Sequence, residues 1–304
     1  MSEGFYYLSE IFFAGLTRGS IYALLALGYT MVYGILGLIN FAHGEVYMIG
    51  AFVGLVFASL FSIMGYSHLA LFAVALAAAV IWAGAYGFTI ERIAYRPLRK
   101  APRLAPLISA IGMSIFLREY VILAQTSDFV AFPALFEGLP DLGPLRDFIQ
   151  PGELVITLVT LGVLGLLFVL IKFTKLGLAM RAIAQDREMA MLLGVDSDRV
   201  ISYTFVLGSM LAAVGAILIA AHVGQINYHI GFIVGIKAFT AAVLGGIGSI
   251  PGAALGGLIL GLTESFATGY ISSDYEDVFA FAILVLILIF KPAGLLGKNR
   301  QEKV

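Results

Sequence analysis

Six stretches of this chain contain no Asp, Glu, Lys or Arg: Gly19–Gly44, Val46–Ile90, Leu154–Ile171, Val200–Ile236, Ala238–Thr263 and Val278–Phe290. A helix needs about 20 mostly apolar residues to cross the hydrocarbon core of a bilayer. Most of these stretches meet that length, and some could hold two crossings. Inside lipid every backbone N–H and C=O must be bonded within the chain, which leaves only helices or closed barrels. The alternation that marks barrel strands is absent. The sequence therefore specifies an all-α polytopic membrane protein. Its 12% content of charged residues agrees, since soluble domains carry about 25%. The start, MSEGFYYLSE, has two acids and no basic segment, so no cleaved signal peptide is expected. The absence of cysteine excludes disulfides, thiolate metal sites and cysteine nucleophiles.

Charge placement sets the expected orientation. Of the 18 Lys and Arg residues, 14 fall in Glu91–Pro106, Lys172–Arg199 and Lys291–Val304. Basic residues in short loops mark the cytoplasmic face. The opposing segments are acidic: Asp128–Glu153 has five acids against Arg146, and Asp274, Glu276 and Asp277 precede the last apolar stretch. Parity then predicts spans near 68–90, 107–127, 153–172, 200–221 and 278–290. An outward pass at 44–65 and an inward pass at 8–39 leave the N-terminus outside and the C-terminus cytoplasmic. The glycine-rich segment LGGIGSIPG (Leu244–Gly252) divides the remaining apolar region into pieces, one or both too short to span. The expectation is a single transmembrane domain over 1–304 with eight or nine transmembrane or re-entrant helices. It would carry an ordered external loop at 127–152 and a cytoplasmic loop at 172–199.

A weak internal repeat accompanies that division. LGLINFAHG (Leu36–Gly44) and LGGIGSIPG (Leu244–Gly252) match at Leu, Gly, Ile and Gly with a constant offset of 208 residues. Glycine-interrupted apolar segments at matching places in two halves point to a broken-helix pathway near the membrane middle. In a chain with 35 glycines, a chance match is the competing reading. Asn40, His43, Gly44 and Glu45 at the first break, and Lys237, Gly245, Gly246, Gly248, Pro251 and Gly252 at the second, are the candidate pathway residues.

Enzymatic chemistry finds no support. No G-x-x-x-x-G-K-[ST] phosphate loop, H-E-x-x-H zinc motif or G-x-S-x-G nucleophile elbow occurs, and the four histidines form no metal set. The informative polar residues are the ionisable groups within apolar runs: Glu45, Lys237, Glu264 and, more marginally, Arg18, Arg118 and Glu119. Such groups either line a pathway or pair internally. Lys237 and Glu264 also suit span ends, where they would snorkel to the interface. Arg118 and Glu119 are adjacent, so the expectation is that they pair with neighbouring spans. The G-x-x-x-G faces at Gly50/Gly54, Gly252/Gly256 and Gly257/Gly261 are read as packing helices within the fold.

Lys172–Arg199, KFTKLGLAMRAIAQDREMAMLLGVDSDR, is a polar island with five basic and four acidic residues. Gly177 is expected to end a span, and Leu178–Leu193 consists of strong helix formers. Gly194 suits the residue after a helix C-terminus, and Asp196 or Ser197 suits the next N-cap. The segment therefore predicts a short helix at the cytoplasmic surface. Arg181, Gln185 and Glu188 would share its exposed face, with Met180, Ile183 and Met191 apolar elsewhere. Both charge signs are present, which favours docking to a soluble partner over the basic excess of a lipid-binding helix.

Glu188-x-Ala190-x-x-x-Gly194 resembles the E-x-A-x-x-x-G core of the loop that ABC-importer permeases insert into their ATPases. The downstream Ile-x-Leu-Pro is missing, as in permeases of the larger, vitamin- and sugar-type architecture. Gly15–Phe52 and Lys237–Leu262, with the loop between them, are similar to the branched-chain amino acid permease family, and within it to the H-type permease subunits of high-affinity leucine/isoleucine/valine importers. The resemblance implies a bacterial or archaeal cytoplasmic-membrane subunit without a cofactor of its own. It would work with a second, homologous permease in a heterodimer, two cytoplasmic ATPases that bind the ATP, an extracytoplasmic substrate-binding protein and membrane lipid, and with no nucleic acid. It also implies ATPase coupling through Arg181, Gln185, Asp186, Glu188, Ala190 and Gly194. Urea and short-amide permeases share these motifs. An ion-coupled secondary transporter using Glu45 or Lys237, or a passive channel, are the readings from other classes.

Overall fold

The computed structural model describes residues 3–99, 101–102, 104–143 and 148–297. Lys100, Arg103, Arg146, Lys298, Arg300 and Lys303, all counted in the charge argument, lie outside the described residues. The helices are α1 (Glu3–Leu36), α2 (His43–Ile63), α3 (His68–Ile90), α4 (Leu104–Ala124), α5 (Pro151–Phe173), α6 (Lys175–Gln185), α7 (Arg187–Leu192), α8 (Ser197–Val223), α9 (Ile230–Gly245), α10 (Ile250–Tyr270) and α11 (Glu276–Phe290). Seven of them, α1–α5, α8 and α10, are long and apolar enough to cross a membrane. At 1.5 Å per residue, α9 and α11 reach only about 24 and 22 Å, short of a core of about 30 Å. The glycine-split region thus forms one short and one full helix. With α11 included, nine membrane segments result, the upper of the two expected numbers.

α1 and α8 form the centre of the bundle. Helices in lipid gain nothing from hiding apolar surface from each other, so close backbone packing has to hold them together. α1 runs antiparallel to α10 through small residues: a Cβ on Gly19 would lie 2.8 Å from the Cα of Leu258, and one on Gly261 would run into the Gly19 backbone. Gly50 and Gly54 pack α2 on Ala213 and Ile217 of α8, and Gly256 sits on the Ala241 carbonyl of α9. The G-x-x-x-G faces therefore join helices within this chain, as their spacing led us to expect.

Antiparallel packing sorts the connections into two groups. One end of the bundle gathers the end of α1, the continuation of α3 through Leu98, the end of α5, α6 and α7, the start of α8, and the chain after α11. Arg92, Arg96, Arg99, Lys172, Lys175, Arg181, Arg187, Arg199 and Lys291 all belong to this end. At the other end β1 (Val130–Ala131) pairs antiparallel with β2 (Gln225–Ile226), Val130 opposite Ile226, which pins the α4–α5 loop to the α8–α9 connection. Tyr7 donates to the Gly269 carbonyl there, so the start of α1 lies opposite the basic end.

Past Ile90 the helix widens into a π-type turn over Glu91–Tyr95. Such a turn shifts the side-chain register, and both Glu91 and Tyr95 end up buried. Glu91 pairs with Arg99 and accepts from Ser202 Oγ at 2.6 Å. Tyr95 donates to the Asn40 side chain at 2.9 Å and so holds the turn that follows α1.

Candidate functional site

The polar island folds as an elbow of two helices and not as the single expected one. Asp186 leaves helical geometry and its carboxylate accepts from the Met189 N–H, capping α7. The break separates Arg181 and Gln185 from Glu188, so the shared helical face expected for the three does not form. All three side chains are nonetheless exposed, as is Asp186. The span ends at Thr174, which caps α6 through the Gly177 N–H. Gly177 lies inside α6 where the Ile171 backbone leaves no room for a Cβ, so it permits a close approach and does not break the helix. Arg181 folds back and donates to the Ile171 carbonyl.

The motif residues have distinct jobs here. Ala190 is buried, holding α7 down. Gly194 takes φ +86°, and the Val195 N–H returns to the Ala190 carbonyl at 3.0 Å, the closing bond of a Schellman turn. Asp196 then caps α8 through Arg199 N–H. Met180 and Ile183 are buried beneath the elbow. Its outer surface presents Glu188 beside Met189, Met191, Leu192 and Leu193, with both leucines 82% exposed. These side chains form an exposed apolar patch at the charged end of the bundle.

A charge network anchors this elbow to the spans. Asp198 takes Arg96 at 2.6 Å and Arg99 at 2.5 Å, with Arg187 of α7 at 3.9 Å. Arg187 also donates to Ser197 Oγ at 2.9 Å. Through Arg99 the network reaches Glu91, whose side chain is fully buried between α3 and α8. Ion pairs therefore connect α7 to α3 and α8. Sequence reasoning missed these partners, because Glu91 and Ser202 lie 111 residues apart.

The two glycine breaks both prove to be interhelical turns, α1 to α2 and α9 to α10, at the same end of the bundle. Asn40 is buried and its Oδ1 accepts from both Ala42 N–H and Tyr95 OH. His43 is buried against Gly28 and stands edge-on to Tyr29 at 4.7 Å. Gly44 lets α2 touch α9, its Cα 3.1 Å from where a Cβ on Gly235 would sit. Glu45 is buried, accepts from Ser114 Oγ at 3.0 Å, and leaves its second oxygen without a hydrogen bond beside Gly231.

In the second break Gly246 and Gly248 take φ +101° and +94°. Gly245 and Gly252 bring the two helices into backbone contact. Ser249 accepts from Gly252 N–H to start α10, with Pro251 in its exposed first turn. Leu295 and Leu296 N–H bond the Leu244 and Gly245 carbonyls at 2.9 Å, so the chain after α11 caps α9.

Lys237 lies away from this turn, toward the other end of α9. It joins a cluster with Glu264 at 3.4 Å, Glu276 at 2.7 Å and Asp277 at 2.8 Å, in which Lys237 and Glu264 are buried. Tyr22 donates to Glu264 at 2.7 Å and Arg18 pairs with Glu276 at 3.1 Å. Neither Lys237 nor Glu264 snorkels; they lie together inside the protein. Arg118 pairs with its own neighbour Glu119 at 3.5 Å, and its charge also reaches Glu45 on α2, a partner on a neighbouring span as expected.

A family model described as branched-chain amino acid transport system / permease component matches residues 11–288. The chain is 51% identical over 308 residues to the high-affinity branched-chain amino acid transport system permease protein LivH of Escherichia coli (strain K12), covering 100% of both chains. It is equally similar, 51% over 308 residues and 100% of both, to LivH of Salmonella typhimurium (strain LT2). To the corresponding protein BraD of Pseudomonas aeruginosa it is 50% identical over 308 residues, again across 100% of both chains.

Proposed function

The chain belongs to the family of branched-chain amino acid transport system permease components, and on that premise we propose that it is a permease subunit of an ATP-driven importer of leucine, isoleucine and valine. Residues 1–304 act as one transmembrane domain, and the chain carries no catalytic step of its own. It pairs with a second, homologous permease, and substrate passes between the two. In this reading the basic end faces the cytoplasm, with the C-terminus inside and the N-terminus outside. Two ATPases bind ATP and dock at the α6–α7 elbow. A soluble binding protein delivers substrate at the opposite end.

The observation that carries this reading is the elbow itself. Glu188, Leu192 and Leu193 stand exposed on a unit that Ala190 and the Asp198 network fix to α3 and α8. Isolation of the tagged chain from its native membrane tests it. Two phosphate-loop ATPase subunits and one further permease should co-purify in stoichiometric amount; recovery of the chain with no ATPase would overturn the proposal. For the substrate, leucine, isoleucine and valine should each compete for uptake while urea does not.

A further inference from the structure

In α11 only Ala280 is buried. The helix leans on α9 and α10 and leaves its other side open. Asp277, Phe281, Val285 and Leu288, at i, i+4, i+8 and i+11, share one helical face, and that stripe is exposed along its whole length.

Two independent distances fix how deep the Asp277 end of the stripe lies. From Asp277 to the exposed Lys291, where α11 ends, the rise is about 21 Å. With Lys291 at one edge of a hydrocarbon core of about 30 Å, Asp277 stops about 9 Å short of the other. The Lys237 ammonium places it at the same level. That ammonium holds Asp277 at 2.8 Å and Glu264 at 3.4 Å, and Glu264 lies about 9 Å before the end of α10 at Tyr270. α10 is about 31 Å long, so its end marks the edge of the core. Yet Asp277 is 52% exposed. A carboxylate facing lipid at such depth is costly, and charges inside a membrane face protein or water instead. α5, by contrast, is about 34 Å long and has no ionisable side chain from Leu154 to Ile171, as suits a helix that faces lipid.

Charge at this end of α11 does not balance. Glu264, Glu276 and Asp277 surround Lys237, and Arg18 adds one further cation 3.1 Å from Glu276. Three carboxylates thus share two cations. We propose that the second permease packs on the stripe Asp277, Phe281, Val285 and Leu288, with a cationic or hydrogen-bond-donating side chain set against Asp277. This rests on the permease reading above and names the face that meets the partner. Protein packed there removes Asp277 from lipid, and its donor supplies the missing positive charge.

Photo-crosslinking in the native membrane tests it. Phe281→p-benzoyl-phenylalanine, Val285→p-benzoyl-phenylalanine and Leu288→p-benzoyl-phenylalanine are made singly in the tagged chain, so that one failing to assemble leaves two that read the same stripe. The major photoproduct should be a covalent pair with the co-purifying permease, identified by mass spectrometry. Leu161→p-benzoyl-phenylalanine on α5, where Leu161 is 59% exposed, should give none. Asp277→Asn should leave the thermal midpoint of the chain little changed, because Glu264 and Glu276 still hold Lys237. It should nonetheless weaken retention of that permease on dilution in detergent about tenfold or more. Photoproducts with lipid alone at the α11 sites, links no stronger than from Leu161, or full retention by Asp277→Asn overturn the assignment. Absence of any co-purifying permease refutes the pairing itself; a permease that links only through other helices keeps the pairing and removes α11 from it.

Discussion

Lys237 on α9 and Glu264 on α10 lie 3.4 Å apart with side chains 5% and 0% exposed. Around them Glu276 and Asp277 draw the start of α11 onto Lys237, so one ammonium holds three helices together. α11 is too short to span by itself, and this cluster fixes one end of it as the Leu295–Leu296 bonds fix the chain beyond the other. Lys237→Met leaves the buried Glu264 without its cation, a change that costs about 3–5 kcal/mol. We expect a large drop in the thermal midpoint of the detergent-solubilised protein. Lys237→Met with Glu264→Gln should recover part of that loss, and the double-mutant cycle measures the coupling.

The Asp198 network makes a different prediction, because Asp198 is 43% exposed and exposed ion pairs contribute only about 0–1 kcal/mol. Asp198→Asn should leave folding nearly unchanged while loosening the link from α7 to α3 and α8. Leucine carried per ATP hydrolysed should fall, with ATPase activity retained. Normal stoichiometry in that variant would mean the network does not transmit force.

Leu192→Glu and Leu193→Glu separate docking from folding. Substitutions at such exposed sites usually change stability by within about 0.5 kcal/mol. If the elbow is a binding surface, loss of a central apolar contact costs about 2 kcal/mol, or roughly thirtyfold in affinity for the ATPase. Co-purification yield and the thermal midpoint, measured on the same preparation, distinguish the two.

Backbone packing in the bundle can be tested by glycine replacement. Gly256→Ala would drive a methyl group into the Ala241 carbonyl and the Gly245 N–H, and overpacking of this kind typically costs about 1–3 kcal/mol. Gly112→Ala has open space and should be near neutral. Equal thermal midpoints for the two variants would show that α9 and α10 are not held in backbone contact.

Much of this architecture is legible from residue patterns, for physical reasons that differ by region. Apolar length and the placement of basic residues locate the spans, since lipid tolerates little else. Local capping chemistry correctly places Gly194 and Asp196. The same chemistry misses the kink at Asp186, because the flanking Ala, Gln, Arg and Glu are all good helix formers and an aspartate can either continue a helix or cap a new one. Burial of Lys237 is invisible to spacing, since its partners Glu276 and Glu264 come from other helices.

The most direct test of the central claim is leucine uptake into proteoliposomes that hold this chain, the permease and ATPases that co-purify with it, and the binding protein. Uptake should require ATP inside contact with the ATPases, and should vanish when those subunits are omitted. Leucine accumulation by this chain alone, without ATPase subunits, would contradict the account.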